Sequence, residues 1–268
     1  MPESRIVTFT TDFGLDDPFV GIMHGVVLNI NPQAIIVNVC HAVALYNILD
    51  GAWTIDQAYR FFPPRTVHVV VVDPGVGSER RPIVVETDNY VFVAPDNGVL
   101  SLVEAREQKF LVRHVMAERY FLQPVSRTFH GRDIFAPVAA WLSKGIAPAE
   151  FGPEISDYVR LKLPQVTHLG ENRLRGEVMK IDQFGNLITN ISERDAPAVF
   201  ACQVPNVQIL IVGLPVTRLC KSYSEGEKDE VFGIVGSSGY LEIAAKQTSA
   251  AEKLAADVGT PVEIVYEV

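Results

Sequence analysis

The sequence predicts an α/β fold, with an N-terminal α/β domain around a mainly parallel sheet and a smaller C-terminal all-β, barrel-like domain. Strands and helices alternate through the first half of the chain, which is typical of a parallel sheet covered by helices. The run from Val69 to Val72 is apolar and β-branched, as in a strand buried on both faces. After Arg173 the chain contains mainly short apolar runs separated by turn residues, as in a small antiparallel sheet or barrel.

The elements of the N-terminal domain follow from local patterns taken in order along the chain. Helical spacing places Val20, Met23 and Val27 on one face of the first helix, with Pro18 in its first turn. The Asp88-Asn89 pair predicts the turn of a hairpin. The predicted strands are residues 5–11, 34–39, 67–72, 83–87 and 90–94, and the predicted helices are residues 18–31, 48–62, 99–107 and 134–144.

The sequence pattern changes near Gly145, where we predict that a linker between two domains begins. Prolines 148, 153 and 164 fall in a segment with little periodicity, which is typical of a linker. The predicted domains are therefore residues 1–165 and 166–268. The strands predicted for the second domain are residues 174–181, 186–191, 207–212, 231–235, 240–244 and 261–266.

Composition excludes several classes of function. The 268 residues carry a formal net charge of −9, which disfavours a general nucleic-acid surface, because phosphate binding needs a basic face. The three cysteines are widely separated and form no Cys-x-x-Cys pair, so neither a zinc ribbon nor a disulfide framework is expected. We expect a cytoplasmic protein without a metal, a membrane partner or a signal core at its N-terminus.

Two carboxylates follow predicted strands, at the edge of the sheet where open α/β folds bind ligands. Asp73 ends the run that begins at Val69, and Arg80 lies beyond a Gly-rich loop. Asp12 ends the first strand, where an acidic residue can accept both hydroxyls of a ribose. Capping and turn chemistry explain both residues equally well. His130, in T-F-H-G-R-D, can handle a proton if a partner fixes its tautomer, but it can also be structural.

Two stretches of the C-terminal half can bind a ligand. In residues 181–191, Asn186 can hydrogen-bond an adenine edge and Phe184 can stack on a base. Asp182 stands in the same stretch, and a β-turn stabilised by its side chain is the alternative. In residues 236–244, Ser237 can offer a hydroxyl to a carboxylate or amine, and the alternative there is a plain hairpin turn.

Six stretches occur in an order that is far more specific than any one of them. They read T-T-D-F-G-L-D-D-P-F-V-G, V-D-P-G-V-G-S-E-R-R-P-I, A-P-D-N-G-V-L-S, T-F-H-G-R-D-I-F-A-P-V-A-A, I-D-Q-F-G-N-L-I-T-N-I and G-S-S-G-Y-L-E-I-A. Together they span nearly the whole chain and resemble the S-adenosyl-L-methionine (SAM) hydroxide adenosyltransferase family, the SAM hydrolases, which are related to the SAM-dependent fluorinase and chlorinase. The resemblance implies an enzyme that hydrolyses SAM, its substrate, to adenosine and L-methionine without a cofactor. It also implies a homotrimer with SAM bound between subunits.

The resemblance also implies roles for individual residues. Asp73, Arg80 and His130 match the Asp-Arg-His triad that orients and activates water. The other matched positions hold the substrate: Asp12 the ribose hydroxyls, Tyr46 an aromatic position lining the ligand, Asp182 and Ser237 the methionine amine and carboxylate, and Phe184 and Asn186 the adenine.

Two alternatives to SAM hydrolysis stay open at the level of sequence. One is a chlorinase-like, halide-using SAM enzyme. Halogenases of the superfamily carry Tyr-Ser at the place of His130-Gly131, so the triad favours the hydrolase. The other alternative is a non-catalytic protein that binds SAM or adenosine, for which we would expect saturable binding without turnover.

Overall fold

The computed structural model describes residues 6–201 and 206–267, and the chain divides into two compact units. Unit 1 ends at Leu161 and unit 2 begins at Lys162. Arg5, which belongs to the predicted first strand, and Cys202 lie outside the described residues.

Unit 1 contains a seven-stranded sheet in the order β2-β1-β3-β5-β4-β6-β7. Its strands are β1 (Ile6–Thr11), β2 (Ile35–Cys40), β3 (Val67–Val71), β4 (Pro82–Glu86), β5 (Val91–Pro95), β6 (Leu111–His114) and β7 (Glu154–Ile155). Its α-helices are α1 (Phe19–Ile30), α2 (Ile48–Ala58), α3 (Ser101–Glu104) and α4 (Ala136–Ser143).

The predicted strands and helices of the first half are present, but the sheet is mixed. The pairs β1–β2, β1–β3 and β3–β5 are parallel. The pairs β4–β5, β4–β6 and β6–β7 are antiparallel. The prediction of a mainly parallel sheet is thus correct for four strands only. The reason is that the hairpin at Asp88-Asn89 reverses the chain, and each strand added beyond it continues antiparallel.

The predicted linker begins too early. The chain from Gly145 to Leu161 belongs to unit 1 and does not connect the two units. Strand β7 pairs with β6 there, and Phe151 is fully buried in the core. Neither feature produces a periodic pattern in the sequence. A strand of two residues is too short for apolar and polar residues to alternate, and Phe151 is a single buried side chain.

The core of unit 1 lies on both faces of the sheet. On one face, Met23 and Val27 of α1 and Phe135 pack against Phe9. On the other face, Ile55 of α2 belongs to a cluster with residues of β3, β4 and β5. The central strand β3 is buried along its whole length. Its carboxyl end is therefore held rigidly between two helical layers, which suits a site that needs fixed geometry.

One buried side chain on β3 makes the stability of unit 1 depend on pH. His68 is fully buried and its Nδ1 lies 2.7 Å from Thr8 Oγ1, with its ring stacked on Phe92 at 5.1 Å. Burial lowers the pKa of His68 to about 3. Below about pH 6.5 the unfolded chain binds a proton at this imidazole that the folded chain excludes, so stability falls as the pH falls from 6.5 towards 3.

We expect His68 alone to cost about 1.4 kcal/mol of unfolding free energy between pH 7.5 and pH 5.5. Urea unfolding at the two pH values measures this loss. The variant His68→Gln should lose less stability than the parent over the same interval by about that amount. Equal losses in the variant and the parent would show that the imidazole is not the source.

Unit 2 is built around a nine-stranded, mostly antiparallel sheet. Its strands are β8 (Thr167–Gly170), β9 (Arg173–Ile181), β10 (Leu187–Ser192), β11 (Asn206–Ile211), β12 (Leu214–Val216), β13 (Leu219–Cys220), β14 (Val231–Val235), β15 (Tyr240–Ala245) and β16 (Pro261–Glu267). Two short helices, α5 (Pro197–Phe200) and α6 (Ala250–Leu254), connect strands.

The sheet of unit 2 curls over its own core. The side chain of Ile209 on β11 packs against Gly233 on β14, where an added Cβ would lie 2.4 Å from Ile209 Cδ1. These strands are not neighbours in the sheet, whose order is β12-β11-β16-β9-β10-β15-β14-β13. All six strands predicted for this half are present, whereas β8, β12 and β13 are additional. Within the described residues, no helix has both the length and the apolar composition needed to cross a bilayer.

Candidate active site

The site in unit 1 lies where two neighbouring parallel strands end. Thr11 of β1 pairs with Val71 of β3, so Asp12 and Asp73 leave the sheet side by side at its carboxyl edge. This edge is the usual ligand site of an open α/β sheet. The two carboxylates that the sequence singled out therefore belong to one region of the fold.

Asp73 and Arg80 form a two-pronged ion pair. Arg80 Nε donates to Asp73 Oδ1 at 3.1 Å, and Arg80 Nη2 donates to Asp73 Oδ2 at 2.5 Å. Only 8% of the Arg80 side chain and 5% of the Asp73 side chain are exposed. A pair this buried is fixed in orientation, because breaking it would leave an uncompensated charge away from water.

The third predicted residue of this group, His130, joins the pair through its ring. Arg80 Nη2 also donates to His130 Nδ1 at 2.7 Å. A guanidinium has no acceptor, so Nδ1 must accept, and a neutral ring carries its proton on Nε2. Burial, followed by the charge of Arg80, lowers the pKa of His130, against the opposing effects of Asp73, Asp133 and the Ser126 backbone. The imidazole is therefore neutral near neutral pH.

The loop between Asp73 and Arg80 can form this geometry only with glycine at one position. Gly77 has a φ of +79°, and an added Cβ would lie 2.3 Å from the carbonyl oxygen of Arg127. The loop thus packs directly against the segment that leads into His130. A π-helical turn, Gly131–Phe135, follows that residue, and Arg80 lies over the Phe135 ring at 5.2 Å. Turns of this kind often occur at functional sites.

One donor of the group has no protein partner. Arg80 Nη1 is buried and makes no hydrogen bond within residues 6–201 and 206–267. A buried donor without a partner is costly, and native proteins usually satisfy such groups with ordered water or a ligand. The Nη1 group of Arg80 is therefore a free, positively charged donor, which a small oxygen species could satisfy.

Asp12 is held by the backbone next to another predicted residue, Tyr46. The N–H of Tyr46 donates to Asp12 Oδ2 at 2.9 Å. Tyr46 has a φ of +63°, and its side chain is 70% exposed. A bulky residue in this left-handed conformation is uncommon and often marks a functional loop. A largely exposed aromatic residue therefore lies next to a buried carboxylate.

In unit 2, the stretch that contains Asp182, Phe184 and Asn186 forms a tight turn. Asp182 Oδ1 accepts from the N–H groups of Phe184 at 2.8 Å and Asn186 at 2.9 Å. Asn186 Nδ2 donates to Asp182 Oδ2 at 2.9 Å. The turn that the sequence left as an alternative to ligand binding is thus present. The backbone at Gly185 packs closely against Ser249, because a Cβ added to Gly185 would lie 2.2 Å from Ser249 Oγ.

The same turn also forms the wall of an open pocket of about 870 Å³. The Phe184 ring is 69% exposed, so a flat ligand can stack on it. The pocket is lined by Asp182, Phe184, Asn186, Tyr223, Ser224, Ala245, Lys246, Gln247, Thr248 and Ser249. Turn formation and ligand binding are therefore compatible roles for these residues.

A buried carboxylate next to this pocket was missed from the sequence. Glu242 is buried on β15 and accepts a 2.7 Å hydrogen bond from the Tyr223 hydroxyl. Burial raises the pKa of Glu242, and the charge of Asp182 also raises it. A polar residue between the apolar residues of Y-L-E-I-A was the only signal. Ser237 is exposed in the turn between β14 and β15, and it does not line the pocket.

The two units offer chemistry of different kinds. Unit 1 has a rigid carboxylate–guanidinium–imidazole group, which can orient and polarise a small oxygen nucleophile. Unit 2 has an aromatic and amide-lined pocket that suits a flat heterocycle. The described residues contain no group of three or more His, Cys, Asp or Glu side chains that could hold a metal ion.

Comparisons with known proteins point to one family for both units. Residues 7–152 match the SAM hydroxide adenosyltransferase N-terminal domain, and residues 176–263 match the C-terminal domain of the same family. A protein of Methanocaldococcus jannaschii named (R)-S-adenosyl-L-methionine hydrolase is 35% identical over 270 residues, which cover 97% of this chain and 96% of that protein.

Three further proteins are similar to this chain over most of its length. A hydrolase of the same name from Thermus thermophilus is 33% identical and covers 97% of this chain and 100% of its own length. A crystal structure of an uncharacterized conserved protein from Thermotoga maritima is similar with a TM-score of 0.90 and 34% identity, over 97% of this chain and 99% of that chain. A fluorinase of Actinopolyspora mzabensis matches at 27% identity over 92% of each chain.

Proposed function

We propose that this protein hydrolyses SAM to adenosine and L-methionine. The chain belongs to the SAM hydroxide adenosyltransferase family. Curated relatives that are 33–40% identical carry the name (R)-S-adenosyl-L-methionine hydrolase. Water would attack C5′ of the ribose and displace methionine as a neutral thioether.

The observation that carries this proposal is the free donor of Arg80. Its Nη1 group is buried without a partner, while the rest of the guanidinium is fixed by Asp73 and His130. We propose that Nη1 holds the attacking water in line with the C5′–S bond and that Asp73 and His130 hold the guanidinium in place. A water molecule fixed in this way has already lost the freedom that a bimolecular attack would cost.

The charges of the reaction explain why positioning is the larger contribution. Bulk water, with a pKa of about 15.7, is a poor nucleophile. The sulfonium, however, loses its charge as the C–S bond breaks, so the leaving group needs no acid. Attack by neutral water produces a protonated alcohol at C5′, which is a strong acid and releases its extra proton to the solvent, leaving the 5′-hydroxyl of adenosine. The proposed reaction therefore requires no metal and no cofactor besides the substrate.

We propose that the remaining predicted residues bind the parts of SAM that do not react. Asp12 would accept the ribose hydroxyls beside Tyr46. Phe184 would stack on the adenine, Asn186 would hydrogen-bond its edge, and Asp182 would attract the methionine ammonium. Ser237 would hold the carboxylate, a role supported only by the family resemblance because its side chain lies outside the pocket wall. A cytoplasmic location is consistent with the free thiols of Cys40 and Cys220.

Product analysis tests the reaction and separates it from the two alternatives. The protein is incubated with SAM, with and without chloride, and the products are separated by chromatography. We expect adenosine and methionine in equal amounts under both conditions. The product 5′-chloro-5′-deoxyadenosine would instead assign a halogenase, and saturable SAM binding without any product would assign a binding protein.

We further propose the homotrimer that the family resemblance implies, with each site shared between neighbouring subunits. The support is that the proposed water-handling and ribose groups belong to unit 1, whereas the proposed adenine and methionine groups belong to unit 2. A cyclic assembly uses two different surface patches per subunit and closes with equivalent sites.

Mixed assemblies test the shared site. Asp73→Ala and Asn186→Ala, each folded and inactive alone, are refolded together in equal amounts. Random assembly should restore about one quarter of the sites, because half of each kind of unit remains intact. An affinity tag on only one of the two variants, followed by capture of the tagged protein and detection of the untagged variant with it, provides the control that mixed trimers have formed. Verified mixed trimers without recovered activity would show that each chain builds its own site.

A further inference from the structure

A buried hydrogen bond joins the two strand ends that flank Asp12. Thr11, the last residue of β1, and His41, the first residue after β2, are both buried, and Thr11 Oγ1 lies 2.8 Å from His41 Nδ1. Thr11 Oγ1 also accepts from the N–H of Phe13 at 3.3 Å. The carbonyl oxygen of His41 accepts from the N–H of Gly14 at 2.8 Å. His41 therefore binds the chain on both sides of Asp12.

The segment that begins at His41 also reaches the carboxylate itself. Five residues further on, the N–H of Tyr46 donates to Asp12 Oδ2. The segment is fixed between these ends, because the N–H of Ala44 donates to Asp50 Oδ2 of α2 at 2.8 Å. Displacement of His41 would thus change both the backbone around Asp12 and the hydrogen bond that orients its carboxylate.

His41 is uncharged in the folded protein and serves as a neutral hydrogen-bond partner. Burial, with a contribution from His24, lowers its pKa to about 4. The rings of His24 on α1 and His41 have centroids 6.4 Å apart, and burial also lowers the pKa of His24. A neutral imidazole can accept a hydrogen bond from a hydroxyl or donate one to it, depending on its tautomer. The hydrogen bond between Thr11 and His41 therefore holds the two strand ends together without placing a charge beside the carboxylate of Asp12.

We propose that Thr11 and His41 are positioning residues for the contact between Asp12 and the ribose hydroxyls. The inference rests on the proposed function, in which Asp12 accepts these hydroxyls. Neither residue is placed against the substrate; they act by holding the carboxylate where two hydroxyls can reach it. Their loss should reduce recognition of the diol, whereas a purely structural role should reduce only the stability of the fold.

The strand itself provides a matched control for this distinction. Thr8, three residues before Thr11 on β1, makes the same kind of buried hydrogen bond to His68 at 2.7 Å. That bond lies within the part of the core that contains Phe92, remote from the carboxyl edge. Thr8→Val and Thr11→Val therefore remove the same chemical group from the same strand, and only the second change touches the surroundings of Asp12.

The test compares the affinities of adenosine and 2′,3′-dideoxyadenosine by calorimetry. In the parent, adenosine should bind more tightly because of the diol. We expect Thr11→Val to weaken the binding of adenosine about tenfold, the scale of one lost hydrogen bond. The affinity for the dideoxy ligand should change little. Thr11→Ser, which keeps the hydroxyl, should retain the parental preference. Thr8→Val should lower the melting temperature and leave the preference unchanged.

A second pair of variants keeps the inference testable if Thr11→Val does not fold. His41→Leu removes the other partner and should also reduce the preference, whereas His41→Asn places an amide near the position of Nδ1 and should restore part of it. An unchanged preference in the folded Thr11 and His41 variants would overturn the inference alone. An equal loss in Thr8→Val would overturn it as well, because the cause would be general loosening. A parent that binds neither nucleoside would overturn the proposed function and this inference together.

Discussion

Replacing Arg80 with alanine is expected to reduce SAM turnover about a hundredfold or more, which is the usual scale for a positioned group that handles a proton or polarises a reactant. The variant loses the free Nη1 donor and leaves the carboxylate of Asp73 and the ring of His130 without their shared partner. In the proposed site the guanidinium binds water and not SAM. The SAM dissociation constant should therefore change much less than the turnover number.

Arg81 is the matched control for this experiment. It is the next residue in the sequence and forms ion pairs with Asp96 and Asp157, outside the Asp73–Arg80–His130 group. Product chromatography measures turnover, and calorimetry measures SAM binding. Only Arg80→Ala should show the large loss of turnover. Normal turnover in folded Arg80→Ala, or an equal loss in both variants, would show that the water-handling role is wrongly assigned.

Replacing Asp12 with asparagine is expected to weaken the binding of both SAM and adenosine. Asparagine keeps the size of the side chain but replaces one carboxylate oxygen with a donor, so it can no longer accept from two hydroxyls. Removal of both ribose hydroxyls from the ligand should then cause little further loss in the variant, because the contact is already gone. The four affinities, of two ligands for two proteins, form a complete cycle.

The loop after Asp12 provides the control for that cycle. Asp16 is exposed in the same Gly/Asp loop, and Asp16→Asn makes the same change of charge. We expect this variant to retain the parental preference for a ligand with both hydroxyls. An equal response to diol removal in the parent and in Asp12→Asn would mean that Asp12 contacts another part of the ligand.

The sequence was most informative where a local pattern decides the local structure. The continuous apolar run of β3 and the Asp88-Asn89 turn predicted a buried strand and a hairpin, and both are present. The mixed character of the sheet was missed because the direction of a strand depends on which neighbour it pairs with. The two residues of β7 acquire their structure from pairing with β6, and no periodic signal precedes that contact.

The candidate site could be predicted residue by residue but not as an arrangement. Position at strand ends singled out Asp12 and Asp73, while nothing in their spacing predicted that His130, 50 residues beyond Arg80, would accept from the same guanidinium nitrogen. That meeting depends on the close packing of the Gly77 loop against Arg127, which is a tertiary contact. The pairing of Thr11 with His41 was missed for the same reason.

Turnover of SAM in oxygen-18 water tests the central claim most directly, because it identifies the atom at which water attacks. The proposed reaction predicts that a single turnover places one oxygen-18 atom in the 5′-hydroxyl of adenosine and none in methionine, as measured by mass spectrometry of the separated products. Oxygen-18 in methionine, or unlabelled adenosine formed in labelled water, would contradict attack of water on C5′ of the ribose.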